Sequence, residues 1–302
     1  MTALQELLRE LFSLQFEAYL EGIWLLVALV GLGLGVGVLT GLFGVGGAFL
    51  VSPMLVAVLG LPKVLVVGSS LSFTIGTAGA GAARHWRLGN VAGRTVLLLA
   101  AGALAGVWAG KAILEILKDA LGEGGSDQAF LGLYLGMLLV TAWLVWRGPR
   151  EHASGRSALQ RLPVGPRVSL PAADLDAVSL PGLLAVGLLI GVAKGLLGIG
   201  GGVLFMPLLL LVVGLQTHQA VGTSLGVVLF SSVVGSLLYG AEGNVNLALV
   251  MILLIGSSVG VQFGAWLCGR LHARRLQRYF VLVVLLAAVV VGGKLVLQLG
   301  GR

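Results

Sequence analysis

Residues 41–54 read GLFGVGGAFLVSPM, and residues 195–208 read GLLGIGGGVLFMPL. Each stretch lies inside a long apolar run, residues 22–60 and residues 182–214. A straight helix over the first run would be about 58 Å long, whereas the hydrocarbon core of a bilayer is about 30 Å thick. Glycine destabilises a helix by about 1 kcal/mol per residue relative to alanine. We therefore predict that each run breaks at its glycine cluster and folds back as a hairpin.

The composition of the whole chain is that of a membrane protein. Of its 302 residues, 58% are hydrophobic and only 10% are charged, against about 25% charged residues in a soluble domain. A crossing takes about 20 mostly apolar residues. Six further segments qualify, at residues 64–83, 95–114, 129–146, 217–238, 246–268 and 279–298. An ordinary soluble enzyme is excluded, and the basic residues lie in short loops, which argues against nucleic-acid binding.

The two halves of the chain repeat each other without a gap from about residue 29 to residue 114, at the offset that separates Gly41 from Gly195. The matched positions include proline and serine as well as glycine: Gly44, Gly46, Gly47, Pro53 and Ser70 correspond to Gly198, Gly200, Gly201, Pro207 and Ser224. Glycines also recur at every fourth position in both halves, at residues 102, 106 and 110 and at residues 256, 260 and 264. These stripes predict helices that pack with their backbones close together.

The charges of the loops predict the orientation of the chain, because cytoplasmic loops are enriched in Lys and Arg. Arginines concentrate in residues 84–94, in residues 147–167 and in residues 270–278. Residues 84–94 carry three arginines, whereas the only charged residue in the equivalent residues 238–248 is Glu242. Equivalent loops are therefore predicted on opposite sides of the membrane. The predicted fold is an all-α polytopic membrane protein of two inverted-topology repeats, each a Gly-broken helical hairpin plus three transmembrane helices, with both termini outside.

Four segments follow from this pattern. We predict an N-terminal amphipathic interfacial helix at 1–21, a first membrane repeat at 22–147, a flexible cytoplasmic linker at 148–181 and a second membrane repeat at 182–302. The sequence leaves open whether both arms of each hairpin span the bilayer, giving ten helices, or the hairpins are re-entrant, giving six spans.

The glycine breaks also predict a binding site. A helix that restarts after a break presents backbone N–H groups without intrahelical partners, and these groups favour an anion. The predicted substrate-binding residues are the break glycines and nearby polar side chains: Gly44, Gly46, Gly47, Ser69, Ser70, Asn90, Lys194, Gly198, Gly200, Gly201, Thr223, Ser224 and Asn244. No nucleophile–base pair or metal-ligand spacing is present in the sequence, so we expect no catalytic residue, metal site or cofactor.

Several of these residues have a second interpretation. Lys194 is expected deep in the membrane, where it attracts the anion or changes protonation; alternatively it pairs with carbonyl groups or reaches an interface. The serine and threonine hydroxyls donate to an oxyanion or only pack helices together. Asn90 and Asn244 follow Gly89 and Gly243, where a turn role is as reasonable as ligand contact. His85 and His218 are expected to pack at an interface.

The repeated segments 41–55 and 195–209, each followed by GSSL or GTSL and then GNV, resemble the sulfite exporter TauE/SafE family. The resemblance covers about residues 29–114 and 183–268. It implies an inner-membrane permease for sulfite, organosulfonates or related sulfur compounds.

Together the two lines of reasoning predict a secondary transporter of a small sulfur oxyanion, with export as the expected direction, working by alternating access. The alternative is an anion channel on the same scaffold. The expected partners are a small anionic substrate and the lipid bilayer, with protons as the candidate coupling ion and no nucleic acid. Monomer and homodimer remain open.

Overall fold

The computed structural model describes residues 2–147, 157–171, 175–197 and 202–300. Within these ranges the regular elements are helices and one small two-stranded sheet. In chain order its elements are α1 (Thr2–Phe43), α2 (Ala48–Leu59), α3 (Lys63–Arg87), α4 (Gly93–Arg147), α5 (Ala158–Arg161), β1 (Arg167–Leu170), β2 (Leu175–Ser179), α6 (Leu180–Leu197), α7 (Gly202–Leu208), which continues as the π-helix Leu209–Val213, α8 (Thr217–Gly240), α9 (Leu247–Arg270) and α10 (Ala273–Gly300).

Eight segments within the described residues are long and apolar enough to cross a membrane. They are Gly22–Phe43, Lys63–Arg87, Gly93–Gly122, Gln128–Arg147, Leu180–Leu197, Thr217–Gly240, Leu247–Arg270 and Ala273–Leu297. Two of these lie in α4, which is interrupted by the non-helical backbone of Gly122. The chain is therefore an all-α, multi-pass membrane protein, as the composition predicts.

The first predicted hairpin is present, and its two arms differ in length. The helix α1 ends at Phe43, and α2 begins at Ala48 after four residues that include the glycine cluster. The arm Gly22–Phe43 has 22 residues, or about 33 Å of helix, whereas the 12 residues of α2 reach only about 18 Å. The second hairpin follows the same plan, with the long arm α6 and a short apolar arm at Val203–Val213. Only the long arm of each hairpin has the length of a membrane span.

The predicted glycine stripes place two pairs of helices in close contact. In the first pair, glycines of α1 and α9 face the partner's backbone so closely that a methyl group would overlap it: Gly33, Gly37, Gly41, Gly256, Gly260 and Gly264. In the second pair, the same holds for glycines of α4 and α6: Gly102, Gly106, Gly110, Gly187, Gly191 and Gly195. Because α6 is the repeat equivalent of α1, and α4 that of α9, each repeat packs its long hairpin arm against a helix of the other repeat.

The helices α3 and α8 pack against each other and are the two most buried of the eight candidate spans in the described residues. The Oγ atoms of Ser72 and Ser236 are 2.6 Å apart. Farther along, Gly81 of α3 approaches the side chain of Leu225. The contact moves backwards along α8 as it moves forwards along α3, so these two equivalent helices run antiparallel.

The linker differs from the expectation, because part of it is ordered. Ser157 and Gln160 form a capping box that starts the short helix α5. The strands β1 and β2 pair antiparallel, with Val168 opposite Val178. Leu159, Leu170 and Val178 are buried in one apolar cluster with side chains of the second hairpin. A flexible linker was the wrong expectation for these residues, since their apolar side chains have a hydrophobic surface to bury against.

The segment predicted as an N-terminal interfacial helix is helical from Thr2 and continues into the first span without interruption. Its placement at a membrane interface stays a prediction.

Candidate functional site

The first glycine break is enclosed by protein. Gly44 and Gly46 have φ values of 71° and 70°, which lie in the left-handed region where glycine meets no steric penalty. A Cβ at Gly44 would also overlap the backbone of Val221 and the hydroxyl of Ser224 in α8. Residues 44–47 are all buried. This agrees with the rule that irregular backbone inside a membrane protein is shielded from lipid.

The helix that restarts after this break has no side-chain cap. Gly47 is the N-cap of α2 and offers no side chain to its first N–H groups. The ring of Phe73 in α3 lies against the Cα of Gly47, where a Cβ would overlap it. Phe73 therefore fixes how closely α3 approaches the start of α2.

The hydroxyl of Ser224 binds the break directly. Its Oγ is 2.7 Å from the carbonyl oxygen of Gly44 and 2.8 Å from that of Val221 in its own helix. The equivalent residue in the first repeat, Ser70, is fully buried, and its hydroxyl has no hydrogen-bond partner in the described part of the chain. Both residues were predicted as site residues, and the structure places Ser224 at the break.

The second glycine break cannot be compared in the same way. Gly198, Gly200 and Gly201 lie outside the described residues. The flanking helices are described, with α6 ending at Leu197 and α7 beginning at Gly202. The role predicted for these three glycines stays a prediction.

Lys194, in the last turn of α6, is completely buried. Its Nζ is 2.7 Å from each of three acceptors in α8: the carbonyl oxygen of Val228, the Oγ of Ser231 and the Oγ of Ser232. An ammonium group has three N–H donors, so the protein itself satisfies all of them. This is the alternative in which Lys194 pairs with protein groups, and it involves two serine hydroxyls besides a carbonyl.

The hydrogen-bond partners of Lys194 are all uncharged groups. No ion pair joins Lys194 to another of the described residues; the pairs with Glu115 and Glu242 belong to Lys111. The hydroxyl of Ser231 donates a hydrogen bond to the carbonyl oxygen of Val227, at 2.7 Å. Ser232 accepts from Lys194 and, within the described ranges, donates to no other group. In its protonated form, Lys194 is a buried positive charge beside a hydroxyl that is able to donate.

Lys194 and the first break both contact the same face of α8. Ser224, Val228 and Ser231 are spaced by four and three residues, so they lie along one side of the helix. Seven residues separate Ser224 from Ser231, which is about 10.5 Å along a helix. The structure thus joins Gly44, Ser224 and Lys194 through the polar row of α8.

Two other predicted residues have structural partners. The Oγ of Ser69 accepts from the backbone N–H of Asn246 at 2.9 Å. The equivalent Thr223 accepts from the N–H of Ala92 at 3.1 Å. Each hydroxyl holds the chain just before a helix of the opposite repeat, at the start of α9 or of α4. These contacts are of the helix-packing kind, and substrate contact by Ser69 and Thr223 stays a prediction.

The two predicted asparagines lie at turns. The side-chain amide of Asn90 is 3.4 Å from the Nδ1 of His85, and that of Asn244 is 3.4 Å from Glu242. The backbone carbonyls of Asn90 and Asn244 lie against the Cα of Gly222 and Gly68. These contacts fit a turn role, and none of them reaches Lys194 or the first break.

Two residues at the glycine motifs were not predicted. His85 was expected at an interface, but it is fully buried and its Nε2 lies 2.9 Å from the carbonyl oxygen of Gly41. Its repeat equivalent, Tyr239, donates to the carbonyl oxygen of Gly195 at 2.9 Å. Its burial and its contact with Gly41 were not predicted, and its place at a membrane interface stays a prediction. The repeat offset itself was the available signal, because it aligns His85 with Tyr239 and Gly41 with Gly195.

The sequence is similar to a known family of membrane proteins. The family model "Sulfite exporter TauE/SafE" matches residues 29–291. The chain is 28% identical over 274 residues to the probable membrane transporter protein YjnA of Bacillus subtilis, covering 87% of this chain and 98% of that protein. It is 27% identical over 273 residues to a probable membrane transporter protein of Xylella fastidiosa, covering 88% and 94%.

An archaeal relative shows the same similarity. The probable membrane transporter protein MJ0441 of Methanocaldococcus jannaschii is 27% identical over 232 residues, which is 75% of each chain. No solved structure matches the chain significantly. Because the family model covers most of the sequence, including both glycine motifs, the chain belongs to the sulfite exporter TauE/SafE family of membrane transporters.

Proposed function

We propose that this chain is a secondary transporter that exports a small sulfur oxyanion, such as sulfite or an organosulfonate, across the inner membrane. The observation that carries the proposal is the buried ammonium of Lys194, bound to three neutral acceptors. A lysine charge at membrane depth costs at least about 2.5 kcal/mol. An anion that binds beside it offsets this cost, whereas a neutral solute does not.

The surrounding groups favour an oxyanion over a simple halide. Ser232 has a hydroxyl proton to donate, and Ser70 is buried without a partner in the described residues. The start of α2 supplies backbone N–H groups without a side-chain cap, and such groups bind the oxygens of anions. A cation with hydroxyl and backbone N–H donors elsewhere in the same polar region suits a ligand with several acceptor oxygens. The family name supports a sulfur oxyanion as that ligand.

Alternating access is supported by the way the two halves pack. The equivalent helices α3 and α8 run antiparallel, which supports an axis between the repeats that lies across the helices. Inverted-topology repeats have such an axis, and in them two states exchange by rocking one part against the other. From the helix directions we infer that residues 84–94 and 270–278 share one end of the molecule, and that Glu115 and Glu242 share the other. With the arginine-rich end inside, we propose that both termini lie outside.

The experiment is a counterflow assay in proteoliposomes, with sulfite, sulfate, thiosulfate, sulfoacetate and taurine, with and without a proton gradient. We expect saturable exchange of a sulfur oxyanion. Lys194→Met should reduce this exchange at least tenfold, while Lys294→Met should leave it within twofold of the parent. Lys294 is a suitable control because its Nζ also binds a carbonyl, that of Val56, but from the distant helix α10.

Flux that follows only the electrochemical gradient, without counterflow, would identify a channel. Full activity of Lys194→Met would remove Lys194 from the site.

A further inference from the structure

A cluster of charged side chains lies near the loop between α8 and α9. Lys111 of α4 donates to the carboxylate of Glu242, just beyond α8. Its Nζ is also 3.4 Å from the carbonyl oxygen of Leu238 in α8 and 3.6 Å from a carboxylate oxygen of Glu115, one turn away in α4. The side chain of Lys111 is only 13% exposed. The ion pair with Glu242 therefore ties α4 to the end of α8, whereas the pair with Glu115 stays within one helix.

The same cluster is connected to the second glycine motif. The Nζ of Lys111 lies 5.5 Å from the centre of the Tyr239 ring, within the range of a cation–π interaction. The Tyr239 hydroxyl donates to the carbonyl oxygen of Gly195, which is the residue after Lys194. Three helices thus meet above Lys194: α4 through Lys111, α8 through Tyr239 and Glu242, and α6 through Gly195.

The opposite repeat has the inner part of this arrangement but not the charges. His85 occupies the position of Tyr239 and contacts the carbonyl of Gly41 at 2.9 Å. The positions equivalent to Lys111 and Glu242 are Ala265 and Leu88. The contact to a glycine carbonyl is therefore common to both repeats, and the ion pair exists in only one.

We propose that the Lys111–Glu242 ion pair is a gate, which must break before the site at Lys194 opens toward the side that Glu242 faces. The inference rests on the alternating access proposed above. Because the equivalent position on the other side holds Ala265 and Leu88, the pair favours closure on one side only. It thereby sets the balance between the two access states.

The opening of the gate can be measured without a transport assay, from the rate at which a cysteine behind it is labelled. Ser236 lies in α8 six residues before Glu242, or about 9 Å deeper along the helix, and is half-buried. Ser236→Cys in a Cys268→Ser background places one thiol behind the pair. We expect a membrane-impermeant maleimide, added from the Glu242 side, to label this thiol about three- to tenfold faster in Lys111→Met and in Glu242→Gln than in the parent.

Two control variants test whether the tie itself matters. Lys111→Arg keeps the charge and should label at the parental rate. Glu115→Gln removes an equal charge beside Lys111 but breaks no contact between helices, so it should also label slowly. Equal acceleration by Glu115→Gln and Glu242→Gln would overturn the gate, because the effect would then be one of local charge. The Glu242 side chain is 46% exposed, so we expect Glu242→Gln to fold. Unchanged labelling in this variant would overturn the gate as well.

A reversible lock completes the test. The pair Lys111→Cys and Glu242→Cys in the same background should be joined by a bifunctional methanethiosulfonate, whose length replaces that of the two side chains; this cross-link should stop exchange of sulfite, and reduction should restore it. Undiminished exchange in protein shown by its altered gel mobility to be cross-linked contradicts the gate. Absence of sulfite exchange in the parent contradicts the proposed substrate, while the labelling rates still decide whether the gate exists.

Discussion

The hydroxyl of Ser224 donates a 2.7 Å hydrogen bond to the carbonyl oxygen of Gly44, which lies 180 residues earlier in the chain. The bond joins the second repeat to the helix break of the first. A carbonyl at the end of a broken helix has no partner within that helix. The second repeat therefore supplies the hydrogen bond that stabilises the break in the first.

We predict that Ser224→Ala weakens this junction. Removal of the hydroxyl leaves a buried carbonyl without its donor, at a cost of about 1–3 kcal/mol. Thermal unfolding in detergent should shift to lower temperature, and oxyanion exchange should fall severalfold. Ser258→Ala is the control, because Ser258 is exposed and binds only Leu254 of its own helix. Equal behaviour of the two variants would show that the bond to Gly44 contributes nothing.

A larger side chain at Gly47 should block the short arm of the hairpin. The Phe73 ring occupies the space that a Cβ needs, and overpacking of this kind costs about 1–3 kcal/mol. We expect Gly47→Leu to insert into the membrane but to lose most of its exchange activity. Gly31→Leu is the matched control, since a Cβ at Gly31 meets no atom within 4 Å. Normal exchange by Gly47→Leu would exclude the first break from the transport site.

The glycine stripes predict a different effect, on assembly of the helices. In α4, Gly106 lies against the backbone of Leu188 and Gly191 in α6. Gly106→Leu should separate the two helices and yield a protein that aggregates or unfolds at lower temperature in size-exclusion and thermal assays. Gly132→Leu adds the same side chain where a Cβ meets nothing within 4 Å, and should behave like the parent. A stable Gly106→Leu protein would contradict the close packing.

Local features of the sequence predict the breaks and the stripes, because each depends on glycines that are neighbours in the chain or on one helix face. The repeat offset then relates the two halves. Features that depend on distant partners are not predictable in this way. Lys194 has its acceptors on α8, at residues more than thirty positions away, and no pattern near Lys194 indicates them. The sequence also left open whether α2 spans the bilayer, since hydropathy does not show where a buried helix ends.

His85 illustrates the same limit from the other side. As an isolated histidine with no neighbour at metal-ligand spacing, it was expected to pack at an interface, and its contact with Gly41 depends on how α3 packs against α1. The order found in the linker has a similar origin, because Leu159 and Val178 are buried by side chains of the second hairpin.

The charges at the two ends of α9 predict its orientation in the membrane. Because α9 is a candidate span, the loops at its two ends must lie on opposite sides, and the arginines after it predict which side is which. We expect Ala241→Cys to react with an impermeant thiol reagent in intact cells, and Arg275→Cys to react only after permeabilisation, both in a Cys268→Ser background. Labelling of both positions after permeabilisation controls for access. The reverse pattern would place Glu242 in the cytoplasm, and the gate formed with Lys111 would then close the site from inside.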